Sequence, residues 1–166
     1  YFNEGAKFPM TYYGQLSFNE VNPGGDFELM DQSDYDKEYE KLFKKNKLVK
    51  HVLILNELDA TKYAKDIIKH LATINIEKGS EVLAAKLSTK VERYDFAIQI
   101  SKQASYEKRF YNKYNYPIIS TPKIINRKNM PSAEVILAII RQESEFDRKA
   151  NSWAGARGMM QLMKYT

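Results

Sequence analysis

Two stretches near the C-terminus hold residue types from which chemistry can be built. In the first, the apolar run Val135-Ile136-Leu137-Ala138-Ile139-Ile140 gives way abruptly to Arg141-Gln142-Glu143-Ser144-Glu145. Glu143 follows Ile140 by three residues, Ile139 by four and Ile136 by seven, spacings that share one face of a helix. The pattern predicts a carboxylate that prolongs a buried apolar stripe. Burial disfavours the charged form of a carboxyl, and a carboxyl that keeps its proton near neutrality suits general-acid catalysis. On spacing alone, an ordinary boundary glutamate is the more frequent meaning of such a position. Glu145 falls off the stripe and reads as a surface residue at the helix end.

The second stretch is Ala150-Asn151-Ser152-Trp153-Ala154-Gly155-Ala156-Arg157-Gly158, followed by Met159-Met160-Gln161-Leu162-Met163. Small residues and two glycines allow tight turns and close backbone approach. The Met-rich run predicts the start of a second helix, in which Gln161 is a two-sided amide among apolar neighbours. A loop followed by a Met-rich core helix is the plain alternative.

These residues need elements to hold them. Pro131 or Ser132 opens the helix that carries Glu143, with Glu134 in its favoured first turn; an apolar surface all round predicts that this helix is buried. Upstream, Asn22-Pro23-Gly24-Gly25 marks a turn. Leu42, Leu48, Val52, Leu53 and Leu55 suit one or two short helices. Tyr63, Ala64, Ile67, Ile68 and Leu71 suit another, with Asp59 as a candidate cap. Val82, Leu83, Ala85 and Leu87 suit a helix after Gly79-Ser80, and Phe96, Ala97, Ile100 and Ala104 line one face of a helix over Arg93 to Ala104. Ala64-x-x-Ile67 recurs as Ala97-x-x-Ile100, an echo at a period near that of helix-pair solenoids. The fold class is therefore all-α, a stack of helical hairpins. Residues 1–117 form the helical region, 118–130 a linker bracketed by Pro117, Pro122 and Pro131, and 131–166 a separate segment.

The 166-residue chain is 43% hydrophobic and 28% charged, a globular balance. No apolar run approaches the length of a membrane helix. With no initiating Met and no signal-peptide pattern, Tyr1 reads as the start of a mature or trimmed fragment. The formal charge of +5 suits an anionic partner, though spare surface lysines explain it equally simply. Cysteine is absent, and His51 and His70 lack partners at metal-ligand spacing, so neither a metal nor another cofactor is expected. Tyr106 to Tyr116 interleaves Phe110, Tyr111, Tyr114 and Tyr116 with Lys108, Arg109 and Lys113. Such a stretch more often packs its rings under a helix than against a ligand. Lys44, Lys45, Lys47 and Lys50 read as a solvated face.

The ordered combination of Ile140-Arg141-Gln142-Glu143-Ser144-x-Phe146-Asp147 with Ser152-x-Ala154-Gly155-Ala156-x-Gly158-x-Met160-Gln161-Leu162-Met163 resembles the signature of lytic transglycosylases. Tyr12-Tyr13-Gly14-Gln15-Leu16, Ile98-x-Ile100-x-Lys102-x-Ala104 and Tyr116-Pro117 resemble the soluble lytic murein transglycosylases. Trp153 and Lys164 depart from it, standing where prolines are common. The resemblance implies a helical superhelix followed by the N-terminal part of a lysozyme-like catalytic domain, truncated within that domain at Thr166. It implies that Glu143 is the sole catalytic acid/base, and that Ser152, Gln161 and Met163 line the substrate groove or order the glutamate. Peptidoglycan glycan strands would be the partner, cleaved between N-acetylmuramic acid and N-acetylglucosamine to give a 1,6-anhydromuramyl end, in the periplasm and without a metal or cofactor. A half-built groove would leave this stretch of chain alone inactive and prone to self-association.

Two other classes compete. A non-enzymatic helical-repeat binding module would leave Glu143 incidental. A basic nucleic-acid-binding protein would bind with steep salt dependence, but no reading element supports it and no nucleic-acid partner is expected.

Overall fold

The computed structural model describes residues 1–8, 10–27, 29–121 and 131–165. The chain divides into two compact units, Tyr1–Asp31 and Gln32–Thr166. In the first, helix α1 (Phe2–Gly5) lies against α2 (Tyr12–Val21). Thr11 caps α2, its hydroxyl accepting from the Gly14 amide at 3.0 Å. The expected turn at Asn22-Pro23-Gly24-Gly25 forms, with the Gly25 amide donating to the Asn22 carbonyl at 3.0 Å and Gly24 at a φ of 73° that favours glycine.

In the second unit, α3 (Lys37–Lys45), α4 (Lys47–Glu57), α5 (Lys65–Thr73), α6 (Ser80–Lys90), α7 (Tyr94–Tyr106) and α8 (Asn112–Asn115) pack each on the next. Asp36 and Asn46 start α3 and α4 by accepting from backbone amides of the first turn. The all-α class holds, with no strand among the described residues. The core is continuous from α3 to α7, through Phe43, Val52, Ile68, Leu71, Leu83, Leu87, Phe96 and Ile100. Ala64 and Ala97, the echoed alanines, are both fully buried. The lysines at 44, 45, 47 and 50 are exposed, as a solvated face requires.

The centre of this array is α6. Small side chains on it (Ser80, Ala84, Ala85, Ser88) let neighbouring helices approach closely, and all four are buried. Its buried hydroxyls are answered by the backbone: Ser80 Oγ donates to the Ala72 carbonyl at 2.6 Å and Ser88 Oγ to the Ala84 carbonyl at 2.8 Å.

Local geometry overrides periodicity before α5. Asp59 does not cap the helix after it, because it sits in a left-handed turn (φ 50°) and the chain passes through a 3-10 turn, Thr61–Ala64, before α5 begins. Of the aromatic stretch, Tyr111 and Tyr114 are buried against α6 and α7 while Tyr106 and Tyr116 are exposed. The expected linker lies mostly outside the described residues, and 118–121 carries no regular element. No described helix is long and apolar enough to cross a membrane.

Candidate active site

Helix α9 (Ala133–Ser144) carries Glu143. Ser132 stands at its N-cap and holds the Glu134 carboxyl below the usual carboxylate range through a side-chain hydrogen bond. The helix is not buried all round. Ile140 is covered, Ile136 and Leu137 are half-covered, and Val135 and Ile139 are exposed. Glu143, placed by its spacing on a buried stripe, is exposed and makes no ion pair or hydrogen bond with any other described side chain. The reason is that α9 has described neighbours on one side only: Ile140 packs with Ile98 of α7 and with Phe146, while Tyr94, Ile119 and Met159 close the edges of that cluster.

The residues around Glu143 are tightly held. Arg141 Nε donates to the Asn115 carbonyl at 2.9 Å and its Nη2 to Asn115 Oδ1 at 2.8 Å. Ser144 Oγ donates to the Met159 carbonyl at 2.7 Å. Glu145 is not the free surface residue its spacing predicts. It ends the helix in the left-handed region (φ 51°) and accepts from Lys102 Nζ of α7 at 2.6 Å. Phe146 follows, also left-handed (φ 67°) and buried beside Tyr94. The anchors of Arg141, Glu145 and Phe146 do not follow from the motif, because their partners (Asn115, Lys102, Tyr94) lie far off in sequence. An arginine two residues before the carboxylate, and a buried amide at the end of α8, were the available signals.

The loop that follows folds on itself. Arg157 forms isolated antiparallel bridges with Asn151 and with Leu162. Ser152 Oγ accepts from the Ala156 amide at 3.0 Å, and Gln161 Nε2 donates to the Gly158 carbonyl at 2.8 Å. The helix predicted from Met159 onward does not form. Gln161 adopts left-handed backbone (φ 47°), which interrupts a right-handed helix two residues after Met159. Ser152 and Gln161 therefore shape the loop that bears them, and Met163 is half-exposed at its end. The link from this loop to α9 runs through Ser144 and Met159, not through a bond to Glu143. Among the described residues no cluster of His, Cys, Asp or Glu could hold a metal ion.

Among the described residues this arrangement offers one unengaged carboxylate, Glu143, on a pinned helix end, beside a loop that displays Trp153, Leu162 and Met163 to solvent. Residues 121–166 match the family model of the Transglycosylase SLT domain. No curated protein matches significantly. Among solved structures, the chain is similar to the 70-kDa soluble lytic transglycosylase in complex with bulgecin A, at 14% identity and a TM-score of 0.67. It is also similar to the 70-kDa soluble lytic transglycosylase of Escherichia coli, at 20% identity and a TM-score of 0.62. Each alignment covers 99% of this chain and 26% of the longer one, so the chain spans about a quarter of the proteins it resembles. Residues 121–166 are thus similar to the Transglycosylase SLT domain, and the chain as a whole shares the all-α fold of the 70-kDa soluble lytic transglycosylases.

Proposed function

We propose that the protein bearing this chain is a peptidoglycan lytic transglycosylase with Glu143 as its single acid/base. The observation that carries the reading is the ordered motif from Ile140 to Met163, which lies in the SLT-domain match and puts Glu143 at an anchored helix end with its carboxylate unengaged. The exposed carboxylate faces water in the free chain. A glycan strand laid over it would displace that water and set the carboxyl against the glycosidic oxygen. Glu143 then donates its proton to the glycosidic oxygen between N-acetylmuramic acid and N-acetylglucosamine, and that bond breaks. The C6 hydroxyl of the muramic acid residue attacks the anomeric carbon, and its proton returns to Glu143. The product is a 1,6-anhydromuramyl end, and no water is consumed.

Most glycosidases use two carboxylates. Glu145, the nearest other carboxylate in sequence, is tied to Lys102, which is consistent with a one-carboxylate reaction. On the same reading, 1–117 is a superhelical region, 118–130 a linker and 131–166 the beginning of the catalytic domain. Ser152, Gln161 and Met163 border the groove for the glycan strand, and the site of action is the periplasm.

The test is Glu143→Gln in the full-length protein, incubated with murein sacculi. The amide keeps the shape and cannot relay a proton. Release of anhydro-muropeptides should fall by at least the ~10²–10⁴ typical of losing a general acid. Near-normal release from this variant sinks the assignment.

A further inference from the structure

We infer that Arg141 is a positioning residue, through which α7 and α8 of the helical array set the placement of the Glu143 carboxylate; this rests on the catalytic reading of Glu143. At about 100° per residue, Ile140, Arg141 and Ser144 occupy one arc of α9 of about 100°, and Glu143 lies about 60° beyond its edge. All three are fastened. Ile140 packs into the cluster with Ile98. Ser144 holds the Met159 carbonyl. Arg141 is the polar fastening to the array: its guanidinium spans the backbone carbonyl and the side-chain oxygen of Asn115, at 2.9 and 2.8 Å.

The far side of the guanidinium is equally defined. Nη1 lies 3.9 Å from Glu145 Oε1, the oxygen that Lys102 Nζ holds at 2.6 Å. The ring of Tyr116 stands 5.7 Å from the guanidinium carbon. Arg141 thus ties the last turn of α9 directly to the end of α8, and to α7 by way of Glu145 and Lys102, two residues from the proposed acid. Asn115 is buried, so the acceptor pair cannot swing out to follow a moving helix. A planar fork with fixed donors can span two acceptors at once, and a lysine cannot.

The consequence is a division of labour. Glu143 remains free to meet substrate, and its neighbours fix where it stands. Misplacing a reacting group by about 1 Å can cost ~10² in rate. Loss of Arg141 should therefore act on turnover and not on binding.

The experiment uses the full-length protein and a soluble murein oligosaccharide. Arg141→Lys keeps the attraction to Glu145 but releases one Asn115 acceptor, and it guards against a variant that fails to fold. We expect kcat to fall at least ~10-fold with KM within about 2-fold. In the same variant, hydrogen exchange of the α9 amides should quicken while α6 stays protected. Asn115→Ala, which removes the side-chain amide and with it the Oδ1 acceptor but keeps the backbone carbonyl, should lower kcat less, and the double variant should be no worse than Arg141→Lys alone. Unchanged kcat with quickened α9 exchange would overturn the inference, as would a rise in KM at constant kcat or an unchanged α9. If Glu143→Gln retains activity, the catalytic reading falls and this inference falls with it. If Glu143→Gln is dead and Arg141→Lys is normal, only the inference falls.

Discussion

At the scale of single residues, the loop after α9 depends on groups that the motif suggests for substrate. Ser152 Oγ is already the acceptor for the Ala156 amide, and Ala156 is buried at the loop's core. Ser152→Ala should therefore destabilise the loop by about 1 kcal/mol, the usual net worth of such a bond. Faster hydrogen exchange at the Ala156 amide would check it, and an unchanged rate would remove the structural role. Glu143, Ser152, Gln161 and Met163 stand out in the sequence as candidates because residue type and order alone carry a motif. The sequence misplaced Glu143 in a buried stripe because helical phase says which side chains share a face, not what covers that face. It missed Glu145 because its partner Lys102 sits on another helix, and a left-handed helix end cannot be read from a glutamate.

At the scale of elements, two joints hold the array. The first is Gly79, between the 3-10 turn Ile76–Lys78 and α6, at φ 85°. A Cβ there would stand 2.5 Å from Tyr35 Cβ and 2.8 Å from Tyr35 Cα. Gly79→Ala should cost at least about 2 kcal/mol, from left-handed strain and the clash together, seen as a lower urea midpoint at constant slope. The second joint is the buried carboxylate of Glu81 on α6. Arg109 grips it with two bonds of 2.9 Å, and the Tyr111 hydroxyl donates to it at 2.8 Å. Burial, with the Glu81 hydrogen bond behind it, pushes the Tyr111 phenol from 10.0 up to about 12. The neutral phenol is thus the form the fold prefers. Its stabilisation is complete below pH 10 and is lost as the pH rises through about 12. Tyr111→Phe should lower stability at pH 8 and flatten its decline between pH 10 and 12, measured by urea unfolding at a series of pH values. The helices around these joints were legible because amphipathic periods of three and four residues survive in the sequence. The 3-10 turn before α5 and the lost Met-rich helix were not, because backbone angles at Asp59 and Gln161 override side-chain periodicity.

At the scale of the whole chain, the two ends of the second unit differ in how well they are covered. From α3 to α7, Val52, Ile68, Leu71 and Leu83 are shielded on every side. Along α9 and the loop after it, Val135, Ile139, Trp153, Leu162 and Met163 stand exposed, with Trp153 wholly in solvent. Isolated apolar residues on a surface are ordinary, but several on one helix and its adjoining loop favour association. Like-charge repulsion opposes it, since the net charge is +5. That repulsion is screened once the Debye length shrinks to about 3 Å near 1 M salt, whereas apolar burial is not weakened by salt. The 166-residue chain should therefore self-associate, and more so as NaCl rises. Ile139→Ser with Leu162→Ser should shift it toward monomer without loss of helix content, because neither side chain belongs to the buried core. Sedimentation velocity at low and high salt, with circular dichroism on the same samples, decides the matter. A chain that stays monomeric at 1 M salt, or a double variant that associates as strongly as the parent, would show that these exposed side chains drive no self-contact.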